Sequence, residues 1–144
     1  MSAVELVGEM ARRFRAGDAD GAFALLHPRF SIEQPASLPH GGRHHGRAGM
    51  AAMGAEFARH WERAIVRPRI LECGDGAVQI TTQTWTARRT GRAATVDVVE
   101  LFSVADGLVA EIRVFQQDTH LLLATLDPAP GGPVLDTPKP AVEQ

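Results

Sequence analysis

The chain has 144 residues, 44% of them hydrophobic and 22% charged, with a net charge of −2, proportions that suit one globular domain with its own core. Basic residues number 15 against 17 acidic ones, only Lys139 is a lysine and the arginines are scattered, so nothing resembles a nucleic-acid footprint. No apolar run approaches the roughly 20 residues that cross a bilayer, and Cys73, the single cysteine, excludes an intrachain disulfide and a cysteine metal site.

The N-terminus alternates charged and apolar residues and lacks the apolar core of a signal peptide, so a cytoplasmic location is expected. Val4, Val7, Met10, Ala11 and Phe14 recur at helical spacing, and Gly17 is placed to end that first helix. Asp18 can cap a short second helix carrying Ala22, Phe23, Leu25 and Leu26, closed by His27-Pro28. Arg29 to Gln34 reads as a short strand, and Pro35 to Gly46 as a loop of turn formers. That loop holds His40, His44 and His45. Their spacing matches no zinc motif, so they are expected at a pocket rim or on the surface, and no metal is expected.

Arg47 to Arg63 reads as a third helix with an apolar stripe of Met50, Met53, Gly54, Phe57 and Trp61. Such a stripe is core first, and also an adaptable wall for a hydrophobic ligand. Ala64 to Cys73 is a strand interrupted by Pro68, which suits an edge or a bulge. Ala77 to Ala87 is a long threonine-rich strand carrying Trp85, whose face the pattern leaves open. Arg88 to Arg92 is an exposed basic turn.

Val96 to Val104 and Leu108 to Phe115 are two strands joined by Asp106-Gly107, a strong hairpin signal. Side chains alternate along a strand, so Glu100 shares a face with Val96, Val98, Phe102 and Val104. Two accounts of a carboxylate there stand open. A dry pocket would raise its pKa and make it a hydrogen-bond donor or general acid. Alternatively, a two-residue loop pairing Ala105 with Leu108 sets Glu100 opposite Arg113 as an ion pair. Asp118 or Thr119 then caps a last helix through Leu126, and residues 127–144 form a proline- and glycine-rich tail. Residues 1–126 make one domain. Segregated helices and strands predict an α+β fold: a cone-shaped, curved antiparallel sheet with three to four helices on its concave face around an apolar cavity.

Several local motifs in this order resemble the SnoaL-like, or ketosteroid-isomerase-like, proteins of the nuclear-transport-factor-two-like superfamily. Ala16-Gly17-Asp18-Ala19-Asp20 is similar to that family's turn between its first helices. Pro39-His40-Gly41-Gly42-Arg43-His44-His45-Gly46 is similar to its P-Y-G-G-x-Y-x-G loop. Val96 to Phe102 resembles the ketosteroid isomerase strand bearing the oxyanion-binding aspartic acid, and Glu100 takes that acid's place. The isomerase's general base falls at Gln34 and its tyrosine at Met10, so steroid isomerisation is not expected. Four residues after Arg113, where the family often shows an aspartate, this chain has Gln117, followed by Asp118.

The resemblance implies a cofactor-independent cyclase of secondary metabolism, acting on a hydrophobic polyketide-like molecule in a shaped cavity. Glu100 and Gln34 would be its catalytic residues and His44 a polar anchor. Met10, Phe14, Met53, Phe57, Trp61, Trp85, Phe102 and Phe115 would form the substrate-binding wall. It also implies a homodimer through the outer sheet face. Two alternatives stand beside it: an epoxide hydrolase or dehydratase using Glu33, Asp97, Glu100 or Asp118 as a base, and a non-catalytic binding or scaffold protein.

Overall fold

A computed structural model of the protein describes residues 1–128. Beyond residue 128, the tail expected from the sequence lies outside the described residues. The first helix, α1 (Ala3–Arg15), starts at a capping box: the Glu5 N–H donates to Ser2 Oγ at 3.1 Å and the Ser2 N–H to Glu5 Oε1 at 2.8 Å. Two orphan amides are thereby satisfied. Leu6, Val7 and Met10 form its buried stripe. Asp18 caps α2 (Ala19–Phe23) through the Gly21 N–H.

The strands are β1 (Leu26–Gln34), β2 (Gly42–His45), β3 (Trp61–Cys73), β4 (Gly76–Ala87), β5 (Ala93–Ala105) and β6 (Leu108–Gln116), with α3 (Gly46–His60) between β2 and β3 and α4 (Thr119–Ala124) after β6. They form one sheet in the order β2-β1-β6-β5-β4-β3. This is the α+β arrangement expected, with the helices over one face of a curved sheet. It is mixed rather than wholly antiparallel, because β1 runs parallel to β6. The short strand β2 also falls in the segment expected to be all loop.

Two irregularities bend the sheet. In β3 the pairing with β4 shifts between Val66 and Arg69, at Arg67-Pro68, where Arg67 has φ 56°. Proline cannot donate to a ladder, and β3 is an edge strand that tolerates the break. In the β5–β6 hairpin, Ala105 faces Leu108 across the Asp106-Gly107 turn as expected, but the register shifts between Ser103 and Val104. The extra residue on β6 moves every later pair by one.

That bulge decides the partner of Glu100. It lies opposite Val114, and Arg113 lies opposite Leu101. Arg113 instead points to the outer face, 3.6 Å from Glu33. The ion pair between Glu100 and Arg113 is therefore not made.

The helix α3 ends earlier than the sequence pattern suggests. Nothing between His60 and Arg63 breaks a helix, yet Trp61 already pairs with Ala87 and Arg63 with Trp85. Strand pairing overrides local helical preference there. Trp61 thus lies at the start of an edge strand, and its indole N–H donates to Thr125 Oγ1 at 2.8 Å, just past α4. The 88–92 turn is similarly tied down: Thr90 Oγ1 donates to the Thr125 carbonyl and Arg92 to the carbonyls of Ala124 and Asp127.

Candidate functional site

Strand alternation places the inward side chains in rows across the concave face. Gln79 stands opposite Glu100 and Glu100 opposite Val114, and the register that sets Glu33 opposite Arg113 brings Gln34 beside Val114. One row therefore reads Gln79, Glu100, Val114, Gln34. The next contains Thr81, Val98 and Gln116. Gln79 Nε2 donates to Glu100 Oε1 at 3.3 Å. Gln116 Nε2 donates to Gln34 Oε1 at 3.3 Å, and Gln34 Nε2 lies 3.5 Å from Met53 Sδ. Gln116 Oε1 is buried without a partner among the described residues.

Glu100 is half-buried at its surface, but protein surrounds its carboxyl. Burial pushes its pKa up, and Arg63 opposes the rise. The usual effect of removing a carboxylate from water thus wins over a cation that does not reach ion-pair distance. The other carboxylates considered as bases lie elsewhere. Glu33 pairs with Arg43 at 3.1 Å on the outer side, Asp97 accepts from Thr82 at 2.9 Å, and Asp118 caps α4. Gln117, at the family's aspartate position, accepts from the Asp97 N–H, while its neighbour Gln116 faces inward.

Deeper along the same face lies an aromatic cluster. Phe57 and Trp61 are stacked at 5.6 Å, Phe57 meets Trp85 edge-on at 4.8 Å, and the Trp61 and Trp85 rings are 5.0 Å apart. Trp85 Nε1 donates to Gln83 Oε1 at 2.9 Å, and Gln83 Nε2 to Thr81 Oγ1 at 3.0 Å. His40 sits within this cluster, 5.3 Å from Phe57, 5.8 Å from Trp85 and 6.0 Å from Trp61, with only 3% of its surface exposed. It is not the rim or surface histidine expected. Burial, with a smaller push from Arg63, lowers its pKa to about 4, so the ring is neutral at pH 7.

The loop that delivers His40 turns back over Gly41, where any Cβ would come within 2.3 Å of the Pro35 carbonyl oxygen. The side chain of His44 is hydrogen-bonded to the His40 carbonyl at 2.9 Å. That bond lets the His44 ring brace the loop. His45 is exposed and precedes α3. Among the described residues no three His, Cys, Asp or Glu side chains converge on one point.

Of the expected wall, Met10, Met53, Phe57, Trp61, Trp85 and Phe102 do lie on the concave side, all buried except the half-buried Met53. Two others do not line it. Phe115 stands on the outer face, 44% exposed, with the Arg113 guanidinium 5.2 Å from its ring, because Val114 and Gln116 take the inward positions. Phe14 ends the α1 stripe 38% exposed and packs edge-on against Phe23 of α2 at 5.7 Å.

Arg63, Gln79, Gln83 and Gln116 were not singled out from the sequence. The spacing Gln79-x-Thr81-x-Gln83-x-Trp85 does carry a signal: polar residues share one period-two face with a tryptophan. A groove of about 510 Å³ lies near the β3 bulge, lined by Arg67, Arg69, Ile80, Thr82, Asp97 and Gln117 among others. It lies away from Glu100.

A sequence profile of the SnoaL-like domain matches residues 7–112. The chain belongs to the SnoaL-like family. Solved structures agree with that placement. An NTF2-like protein of unknown function from Burkholderia pseudomallei is 25% identical, with a TM-score of 0.76 over 88% of this chain and 98% of the other. TerC, crystallised with polyporic acid, is also 25% identical, with a TM-score of 0.76 over 86% and 97% of the two chains. A Pseudomonas putida protein provisionally assigned as a polyketide cyclase shares the fold at 20% identity, with a TM-score of 0.70 over 88% and 99%. A search among curated proteins gave no match. No helix among the described residues is long and apolar enough to cross a membrane.

Proposed function

We propose that this SnoaL-like protein is a cofactor-independent enzyme that closes a ring in a hydrophobic, polyketide-like molecule held on the concave face. The observation that carries this reading is Glu100, the carboxyl that the fold turns inward and desolvates, hydrogen-bonded by Gln79 beside Gln34. A protonated carboxyl in an apolar site donates to an oxygen on which negative charge grows, as in ketosteroid isomerase. Here Gln79 donates to one carboxyl oxygen, which leaves the hydroxyl to face a substrate carbonyl. Gln34 cannot abstract a proton, but its amide can orient a polar group. The rest of the acceleration comes from holding the chain in a reactive conformer between Met53, Phe102 and the sheet. A structural relative crystallised with polyporic acid supports a small organic molecule as occupant.

The inward placement of Glu100 alone, with Glu33, Asp97 and Asp118 turned away, disfavours a hydrolase built on two carboxylates. The glutamine at the isomerase's base position is what favours a binding protein instead. Single-turnover assays on a panel of linear 1,3-dicarbonyl substrates separate the two. Wild type is expected to form cyclic product, with Glu100→Gln and Glu100→Ala slower by about 10²-fold or more, the range for a positioned acid. Full activity in both variants removes Glu100 from the mechanism, and binding without turnover supports the binding protein. We also propose a homodimer through the outer face, where Val66, Leu71 and Phe115 are exposed. Sedimentation equilibrium tests it, and a monomer at all concentrations would refute it.

A further inference from the structure

Two basic groups on the concave face lack partners. Arg63 lies on β3 with its guanidinium carbon 4.6 Å from the centre of the Phe57 ring. Among the described residues no carboxylate comes within ion-pair distance of it, although other surface arginines, such as Arg43, Arg59 and Arg88, find one. Its stem is exposed on the edge strand, but its charged head lies where burial works against the charge and Glu100 supports it. His40 stands on the same Phe57 ring at 5.3 Å. Its Nδ1 is buried without a partner among the described residues. Buried polar atoms are normally satisfied, and a cation resting on an aromatic ring is poised for a planar anion.

We propose that Arg63 and His40 form an anion-accepting subsite at the aromatic end of the concave face, which takes the carboxylate or enolate oxygen of a planar, largely apolar ligand. Arg63 supplies a fork of donors that matches such an anion. His40 supplies a neutral ring nitrogen to a neighbouring hydroxyl or oxygen. The Phe57, Trp61 and Trp85 rings give the subsite an aromatic floor, and the half-buried Met53 and Gln79 flank the way to Glu100. The inference rests on the reading of the concave face as a ligand chamber, but not on Glu100 being catalytic.

The test is calorimetric binding of 3-hydroxy-2-naphthoate and of its neutral amide. Wild type is expected to bind the carboxylate at least about tenfold tighter, the scale of one charge-assisted hydrogen bond. Arg63→Gln should erase that preference and Arg63→Lys should keep part of it. Both lie on an exposed edge, and circular dichroism checks their fold. His40→Phe should weaken the naphthoate about tenfold. Should that variant misfold, the ¹⁵N ring resonances of His40 in the wild type decide the point: they shift with the naphthoate and stay in place with the amide. Equal affinities, no binding of either probe, a preference that survives Arg63→Gln, or unmoved His40 resonances would overturn the proposal. Turnover is not read in this experiment, so inactivity of the protein towards 1,3-dicarbonyl substrates leaves its outcome intact.

Discussion

The two ends of the concave face are built from different materials. At one end Phe57, Trp61, Trp85 and His40 pack ring against ring, and both indole N–H groups are satisfied inside the protein. At the other end Glu100, Gln79, Gln34 and Gln116 stand among Val98, Val114 and Met53, joined by hydrogen bonds of 3.3 Å or longer. The contrast teaches which end can change partners. The aromatic end is close-packed and holds α3, β3 and α4 together, and only Arg63 and the buried His40 Nδ1 on it are left without a protein partner among the described residues. The polar end has loosely held groups whose bonds a ligand can replace.

Substitutions should separate the two ends by size of effect. Trp85→Ala removes a fully buried ring from the aromatic end and should cost about 3–5 kcal/mol in urea unfolding followed by circular dichroism. A loss below about 1 kcal/mol would mean that this end is not the structural one.

His40 gives the aromatic end a pH dependence. The unfolded imidazole takes its proton near 6.5 and the folded one near 4. The unfolded chain therefore binds more protons between these values. Stability should be full above about pH 6.5 and should fall as pH drops towards 4, by about 3 kcal/mol at most. His40→Phe should flatten that limb of the stability profile, and an unchanged slope would contradict the burial.

At the polar end the sign reverses. The folded pKa of Glu100 is raised, so its contribution is favourable below the unfolded value near 4.5 and is lost as pH rises. Glu100→Gln should therefore raise the melting temperature at pH 8 and leave it nearly unchanged at pH 4. No gain at pH 8 would mean that the carboxylate is well solvated. The smallest effect belongs to Phe115 on the outer face: Phe115→Ser should leave the affinity for 3-hydroxy-2-naphthoate unchanged, because its ring stands across the sheet from the concave face.

What the sequence revealed follows the same division. Period-two alternation put Glu100 on the apolar face of its strand, and Asp106-Gly107 located the hairpin. The partner of Glu100 was not legible, because a one-residue bulge beyond that turn leaves no mark in an alternating apolar pattern. The same shift turned Phe115 outward. The strand placement of Trp61 and Arg63 was not legible for another reason: their segment has acceptable helical spacing, and only pairing with Ala87 and Trp85 makes it a strand. The burial of His40 depends on a turn that Gly41 permits, closing a glycine-rich loop onto a distant aromatic cluster. Local sequence does not report such a closure.

The account stands most directly on the protonation of Glu100, measurable by carbon-detected NMR titration of its carboxyl in the wild type and in Arg63→Gln. The account predicts a pKa well above the ordinary value near 4.5, and a higher one still in Arg63→Gln, because Arg63 is the charge that restrains it. An ordinary or lowered value in the wild type, indifferent to Arg63, would contradict a desolvated acid at the polar end and the mechanism drawn from it.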